Sequence, residues 1–185
     1  MIIISPLIIL IIAWALGSIV IWSFKNGISP MPSTRLAQRA MLQLIPGTLS
    51  GKVYELGSGW GTLAFLLAKR LPHCQVISYE NSPVPYFFSK LRHFFVPLSN
   101  LSLNRKDFFR ESLEDASLII CYLYPGAMKT LRTKFEKELK AKTRIISNTF
   151  AIPGWTPEQV QVLPDLYKSK IYLYKVSRGN HTKSP

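Results

Sequence analysis

Seven consecutive residues, Glu55-Leu56-Gly57-Ser58-Gly59-Trp60-Gly61, carry the most specific chemistry in the chain. They follow Val53-Tyr54-Glu55-Leu56, which reads as a short strand, and precede an apolar helix from Thr62 to Leu71 closed by Pro72. Glycines at such a turn let the backbone bend sharply and approach a ligand with no Cβ in the way. The helix N-terminus beyond adds partial positive charge. A dinucleotide site uses G-x-G-x-x-G, with pyrophosphate on the helix end. The loop here is G-x-G-x-G with a carboxylate two positions before the first glycine. That acid repels a pyrophosphate and suits the cationic methionine end of S-adenosylmethionine. Glu80 ends the next strand, Gln75 to Tyr79, 21 residues after Gly59. A carboxylate there accepts hydrogen bonds from both ribose hydroxyls and contributes few folding contacts. NAD folds place an acid at the same point, so Glu80 supports a nucleoside ligand without choosing between cofactors. Asp107, after the third strand, is within reach of an adenine amino group.

Composition sets the surroundings of this site. The chain has 185 residues, of which 48% are hydrophobic and 18% charged, so it can bury a core and is not a disordered polymer. Its length favours one domain plus an appendage. The formal net charge is +13, yet the first 24 residues contain no Lys, Arg, Asp or Glu, so the whole excess lies on residues 25–185. Cys74 and Cys121 are too few and too far apart for a disulfide framework or a thiolate zinc site, and read as small apolar strand residues. His73, His93 and His181 match no catalytic or ligand spacing, and no metal is expected.

The uncharged N-terminal segment, MIIISPLIILIIAWALGSIVIWSF, reads as a transmembrane helix over 1–24, since about 20 helical residues cross a hydrocarbon layer of about 30 Å. Trp22 sits where an amphipathic ring rests at an interface, just ahead of Lys25. Two alternatives remain. A cleaved signal peptide would use the Ala13-Trp14-Ala15 spacing, but no basic region precedes it and the apolar run continues past the cut. A buried core helix would have a wet side, which this run lacks. Lys25, Arg35 and Arg39 flank the downstream end, so the positive-inside rule puts the C-terminal domain on the cytoplasmic side. The basic excess would then face the lipid bilayer, each nearby cation adding about 1 kcal/mol of attraction to anionic headgroups. Nucleic acid is the other usual partner of so basic a surface, and a tether to the membrane disfavours it.

Residues 25–34, rich in Pro, Gly and Ser, read as a linker, and 35–177 as the domain, followed by a basic tail over 178–185. Thr34 is placed to cap a helix over 35–45. Past the glycine loop the chain alternates: a helix near 84–96, a short strand at 101–103, and an apolar strand at 116–123. Pro125-Gly126 then opens a basic helix, followed by a strand at 144–150 and a last one at 171–176, read as a half-buried edge. Strands alternating with helices predict an α/β, Rossmann-like, doubly wound and mostly parallel sheet.

At VYELGSGWG (53–61), YENSP (79–83), Asp107-Phe108, YLYP (122–125) and RIISNTFAIPGW (144–155) the chain resembles the class I S-adenosylmethionine-dependent methyltransferases. More narrowly, it is similar to the membrane-anchored protein-lysine methyltransferases that modify the adenine nucleotide translocase and the c-ring protein of ATP synthase, with their prokaryotic relatives. The resemblance implies S-adenosyl-L-methionine as cofactor and a membrane-associated protein as substrate. It places Glu55, Gly57, Ser58, Gly59 and Gly61 around the methionine part, Glu80 with Asn81 at the ribose, and Asp107 with Phe108 near adenine. Tyr122, Tyr124 and Pro125 would border the methyl group. Alternation along the strand lets Tyr122 and Tyr124 share a face, with Tyr124 at the mouth, where its hydroxyl can aim an amine.

Four functions stay open on these grounds. The leading one is methyl transfer to a protein lysine at a membrane surface. A phospholipid amine or lipophilic quinone could be the acceptor instead, an NAD-dependent oxidoreductase is disfavoured by the loop spacing, and a non-catalytic membrane docking module would bind neither cofactor.

Overall fold

The computed structural model describes residues 5–27 and 31–177; the expected basic tail, His181, and part of the anchor and linker lie outside them. Twelve elements follow in order: α1 (Pro6–Asn26), α2 (Arg35–Gln43), β1 (Gly51–Leu56), α3 (Thr62–Arg70), β2 (Cys74–Tyr79), α4 (Pro83–Phe95), β3 (Leu101–Asn104), β4 (Ala116–Cys121), α5 (Pro125–Glu138), β5 (Arg144–Asn148), β6 (Gln159–Val162) and β7 (Lys170–Lys175). They build one seven-stranded sheet in the order β3-β2-β1-β4-β5-β7-β6. The strands β1 to β5 run parallel, while β7 is antiparallel to both β5 and β6. The architecture is a Rossmann-like, mostly parallel sheet.

Period-2 alternation explains the two layers. Val53, Leu118, Ile120, Ile146 and Leu173 point to one face, where α2 and α3 supply Met41, Ala64, Phe65 and Leu67. Their neighbours Tyr54, Ile119, Cys121, Ile145 and Tyr174 point to the other, against Met128, Leu131 and Phe135 of α5. A strand covered on both faces is a near-continuous apolar run, and β4 reads Ala-Ser-Leu-Ile-Ile-Cys, with only the half-buried Ser117 polar. Cys74 and Cys121 are buried in β2 and β4, and burial pushes the Cys121 thiol up to about 12, far from any thiolate chemistry. The Thr34 hydroxyl accepts from the Ala37 N–H at 3.1 Å, capping α2.

Two expectations need correction. The last strand is not an edge: β7 is flanked by β5 and β6, and its Tyr174 is fully buried. The edge on that side is β6, whose Gln-Val-Gln-Val alternates over only four residues and buries none of them. The strands at 116–123 and 144–150 are also shorter than expected, because Tyr122 and Thr149 have left the ladder, Thr149 with a positive φ of 68°.

The apolar N-terminal segment forms one continuous 21-residue helix with no buried residue. By length and composition it can cross a membrane, and its exposure along its whole length is not that of a buried core helix. Its half-exposed positions Ala15, Ser18, Ile19, Trp22, Ser23 and Asn26 share one face, and Lys25 Nζ lies 4.4 Å over the Trp22 ring.

Candidate functional site

Because β1 to β4 are parallel, their C-terminal ends emerge on one side, and the order reverses between β1 and β4, where such sheets hold ligands. A cleft opens there. It gathers Glu55, Gly57, Ser58 and Gly59 from the end of β1, Glu80 and Asn81 from β2, Asp107 and Phe108 after β3, and Tyr122 and Tyr124 after β4. Gly61 and Pro125 stand outside the lining: the first precedes α3 and the second is the exposed first residue of α5.

The glycine loop is strapped to β2. Gly57 N–H and Ser58 N–H donate to the Tyr79 carbonyl at 2.9 and 3.0 Å. Glu80 is 7% exposed, and its two carboxylate oxygens accept from Gly59 N–H at 2.8 Å and Ser82 N–H at 2.7 Å. Glu80 therefore holds the site's shape, contrary to the expectation of few folding contacts. A carboxylate offers about four lone-pair sites, so two remain for ribose hydroxyls. At Gly59, φ is +52° and a Cβ would meet nothing within 4 Å, which leaves an open cradle above the loop.

Glu55 is the electrostatic anomaly of the cleft. It is buried, its Oε2 has no hydrogen-bond partner, and its pKa is raised to about 8, first by burial and then by the charge of Glu80. The Ala64 backbone N–H also donates to this carboxyl, and the oxygen left without a partner beside the cleft would suit a cation such as the ammonium of the cofactor's methionine end. These residues fit S-adenosylmethionine. After β3, Asp107 accepts from Phe109 N–H at 3.0 Å, and the Phe108 and Phe109 rings lie 4.5 Å apart.

At the other wall, the Tyr122 ring stacks on Phe150 with centroids 6.4 Å apart and planes 15° off parallel. The 147–155 stretch folds back to bring Phe150 there: Ser147 Oγ donates to the Phe150 carbonyl, the Ile152 N–H donates to Tyr174 Oη at 2.9 Å, and Trp155 Nε1 donates to Glu136 at 3.2 Å. Tyr124 precedes α5 as its N-cap residue.

Sequence reasoning missed the contribution of α1. Lys25 and Asn26 line the cleft, as do Met31, Pro32 and Ser33 beyond. The Asn26 and Asn81 side-chain amides donate to each other at 2.9 and 3.0 Å, and Asn26 Nδ2 also donates to Ser82 Oγ at 3.0 Å. Next in the chain, Gly27 has φ +66°, and its missing Cβ makes room for the Tyr124 ring, which a Cβ would meet at 2.8 Å. No local pattern links Asn26 to a partner 55 residues away. Among the described residues no group of three His, Cys, Asp or Glu gathers to hold a metal. His93 instead caps its own loop against Leu98 and packs edge-on to Phe65.

Comparison with known proteins follows the same lines. Residues 55–159 match the model of the ANTKMT methyltransferase domain. A protein-lysine N-methyltransferase of Saccharolobus islandicus is 26% identical over 169 residues, 86% of this chain and 99% of that protein. The adenine nucleotide translocase lysine N-methyltransferase of Mus musculus is 30% identical over 65% of this chain, which spans about half (52%) of that relative's length. Among solved structures, an RNA methyltransferase from Salinibacter ruber in complex with S-adenosyl-L-homocysteine superposes with a TM-score of 0.68 at 20% identity, covering 80% of this chain and 95% of that one.

Two outcomes are expected. Glu55, protonated in the free protein below about pH 8, must lose its proton to face a bound ammonium. Affinity for S-adenosylhomocysteine then rises with pH, by up to about tenfold per unit, and levels off above about 8. Titration calorimetry in buffers of different ionisation enthalpy would detect the released proton, and a flat profile identical to that of Glu55→Gln would discount the pairing. Second, Glu80→Ala loses two charge-assisted hydrogen bonds worth about 1.5–3 kcal/mol each, so melting temperature and cofactor affinity should both fall. Unchanged melting would show that the strap on Gly59 and Ser82 is dispensable.

Proposed function

From the premise that this chain belongs to the ANTKMT methyltransferase domain family, and so is an S-adenosylmethionine-dependent methyltransferase, we propose that it is anchored in a membrane by α1 and methylates a lysine of a membrane-associated protein. One observation carries the reading: the last turn of α1, with Lys25 and Asn26, lines the same cleft as Glu55, Glu80 and Tyr124. A helix of 21 residues rises about 32 Å, enough for a hydrocarbon core. The cleft would therefore lie at headgroup level, within reach of lysines that sit beside the bilayer. The basic residues after α1 favour the cytoplasmic side for the domain. Relatives named for lysine N-methyltransfer to an adenine nucleotide translocase and to the c-ring protein of ATP synthase support an acceptor of this class.

The chemistry divides among the chain's residues. When bound, the cofactor supplies a methyl carbon on a positively charged sulfur that departs as a neutral thioether. Glu55 would fix its ammonium and Glu80 its ribose, so that the methyl points to the wall of Tyr122 and Tyr124. A free lysine, with a pKa near about 10.4, is almost wholly protonated at neutral pH, and only the neutral amine has a lone pair to form the new N–C bond. A cleft walled by Tyr124 and by Tyr122, which is backed by Phe150, disfavours the ammonium form by desolvation. The Tyr124 hydroxyl would accept a hydrogen bond from the amine and aim it. Ring faces stabilise the methylated ammonium until its proton passes to water.

The decisive experiment compares methylated residues in membranes with and without this protein. A lysine site lost from an integral or peripheral protein is the expected result; loss of a methylated lipid amine with an unchanged proteome would assign a lipid acceptor instead. On the lysine substrate so found, Tyr124→Phe should lower turnover about tenfold or more, about 1.4 kcal/mol in the transition state, with cofactor affinity unchanged. Full turnover would leave desolvation alone to prepare the amine.

A further inference from the structure

Helix α4 presents an uncovered aromatic stripe. Val84, Pro85 and Ser89 are buried, while Phe87, Phe88, Leu91, Phe94 and Phe95, further along the helix, share one face and are between 42% and 77% exposed. The spacing i, i+1, i+4, i+7, i+8 makes them one continuous surface. Four phenylalanines on a single helix face exceed the scattered apolar exposure that a soluble monomer shows.

We propose that this face of α4 is a second membrane contact, lying in the headgroup and acyl boundary of an anionic bilayer beside the point where α1 leaves it. Continuity is the first argument. Asn26, the last residue of α1, donates to Ser82, the N-cap residue of α4, and pairs with Asn81, so α4 begins at the level where α1 ends. Charge is the second. Between Asn81 and Lys106 the chain has no Asp or Glu, and Lys90 and Arg92 are exposed along the stripe. This is the composition of an interfacial helix: an aromatic face with basic flanks and no acid. A second copy of the chain fits less well, because a two-fold contact would bring these cations against one another. The proposal rests on the reading of α1 as a membrane segment.

The full chain in vesicles of phosphatidylcholine and phosphatidylglycerol provides the test. Cys74 and Cys121 are each 2% exposed, so a fluorophore placed on Phe94→Cys, or on Lys137→Cys in α5 as the control on the opposite side of the sheet, labels one site. With α4 seated about 5–10 Å into the boundary, lipids carrying a nitroxide on shallow acyl carbons should quench the label at 94 about twofold or more and leave the label at 137 unaffected. Phe95→Cys should repeat the result independently. A chain that floats with the vesicles while its label at 94 stays unquenched overturns the α4 contact and leaves the anchor standing. Energy transfer between copies labelled at 94, without quenching by lipid, assigns the stripe to a dimer and overturns it as well. A chain that does not float removes both the anchor and this contact.

Discussion

One buried carboxylate ties the functional end of the molecule together. Glu80 emerges from the central part of the sheet and holds the amide of Gly59 with one oxygen and that of Ser82 with the other. The first contact fixes the turn between β1 and α3, and the second fixes the start of α4. Both turns must keep their shape for a nucleoside to find its partners, and both depend on a charge kept out of water, where a hydrogen bond is stronger and an unmade one more costly. The same charge acts on its neighbour. Glu55 is held protonated first by its own burial and then by the nearby charge of Glu80. In the free protein that proton keeps Glu55 uncharged, and a cationic ligand would take its place.

The remainder of the fold serves to bring four chain crossings to this carboxylate. Parallel strands and right-handed crossovers place every loop that matters at one end, and the antiparallel β6–β7 pair extends the sheet without adding a wall to the cleft. The stretch from Ser147 to Trp155 has its own task. Its turn carries Phe150 onto Tyr122, and the buried Trp155 and Tyr174 pin it from behind. The aromatic wall is thereby built from residues distant in sequence but rigidly supported.

Much of this is legible in the residues alone. The alternation of strands and helices, the acid before the glycines and the acid after β2 are local patterns with local physical causes, and Glu55, Gly59 and Glu80 do meet in space. Three features are not legible. The edge strand β6 alternates Gln and Val over only four residues, with both valines exposed, so its pattern is too short to stand out as a strand. The double duty of Glu80 depends on where two backbone amides fall, which residue types do not encode. The Asn26–Asn81 pair joins segments that no periodicity connects, and a linker rich in Gly and Pro gives no reason to expect a wall of the cleft.

That pair, with the close seating of Gly27 on Tyr124, bears on how interchangeable the N-terminal helix is. An apolar tether is ordinarily a modular part, since any sequence greasy enough and long enough serves, and the junction behind it drifts freely. Here the last turn of the helix is shared with the wall of the cleft. A foreign helix grafted ahead of residue 35 would supply the hydrophobicity and lose the amide and the glycine that the cleft leans on. The junction Lys25-Asn26-Gly27 is therefore bound by the tolerances of an active site and not by those of a linker, so helix and domain have to be inherited as a single unit.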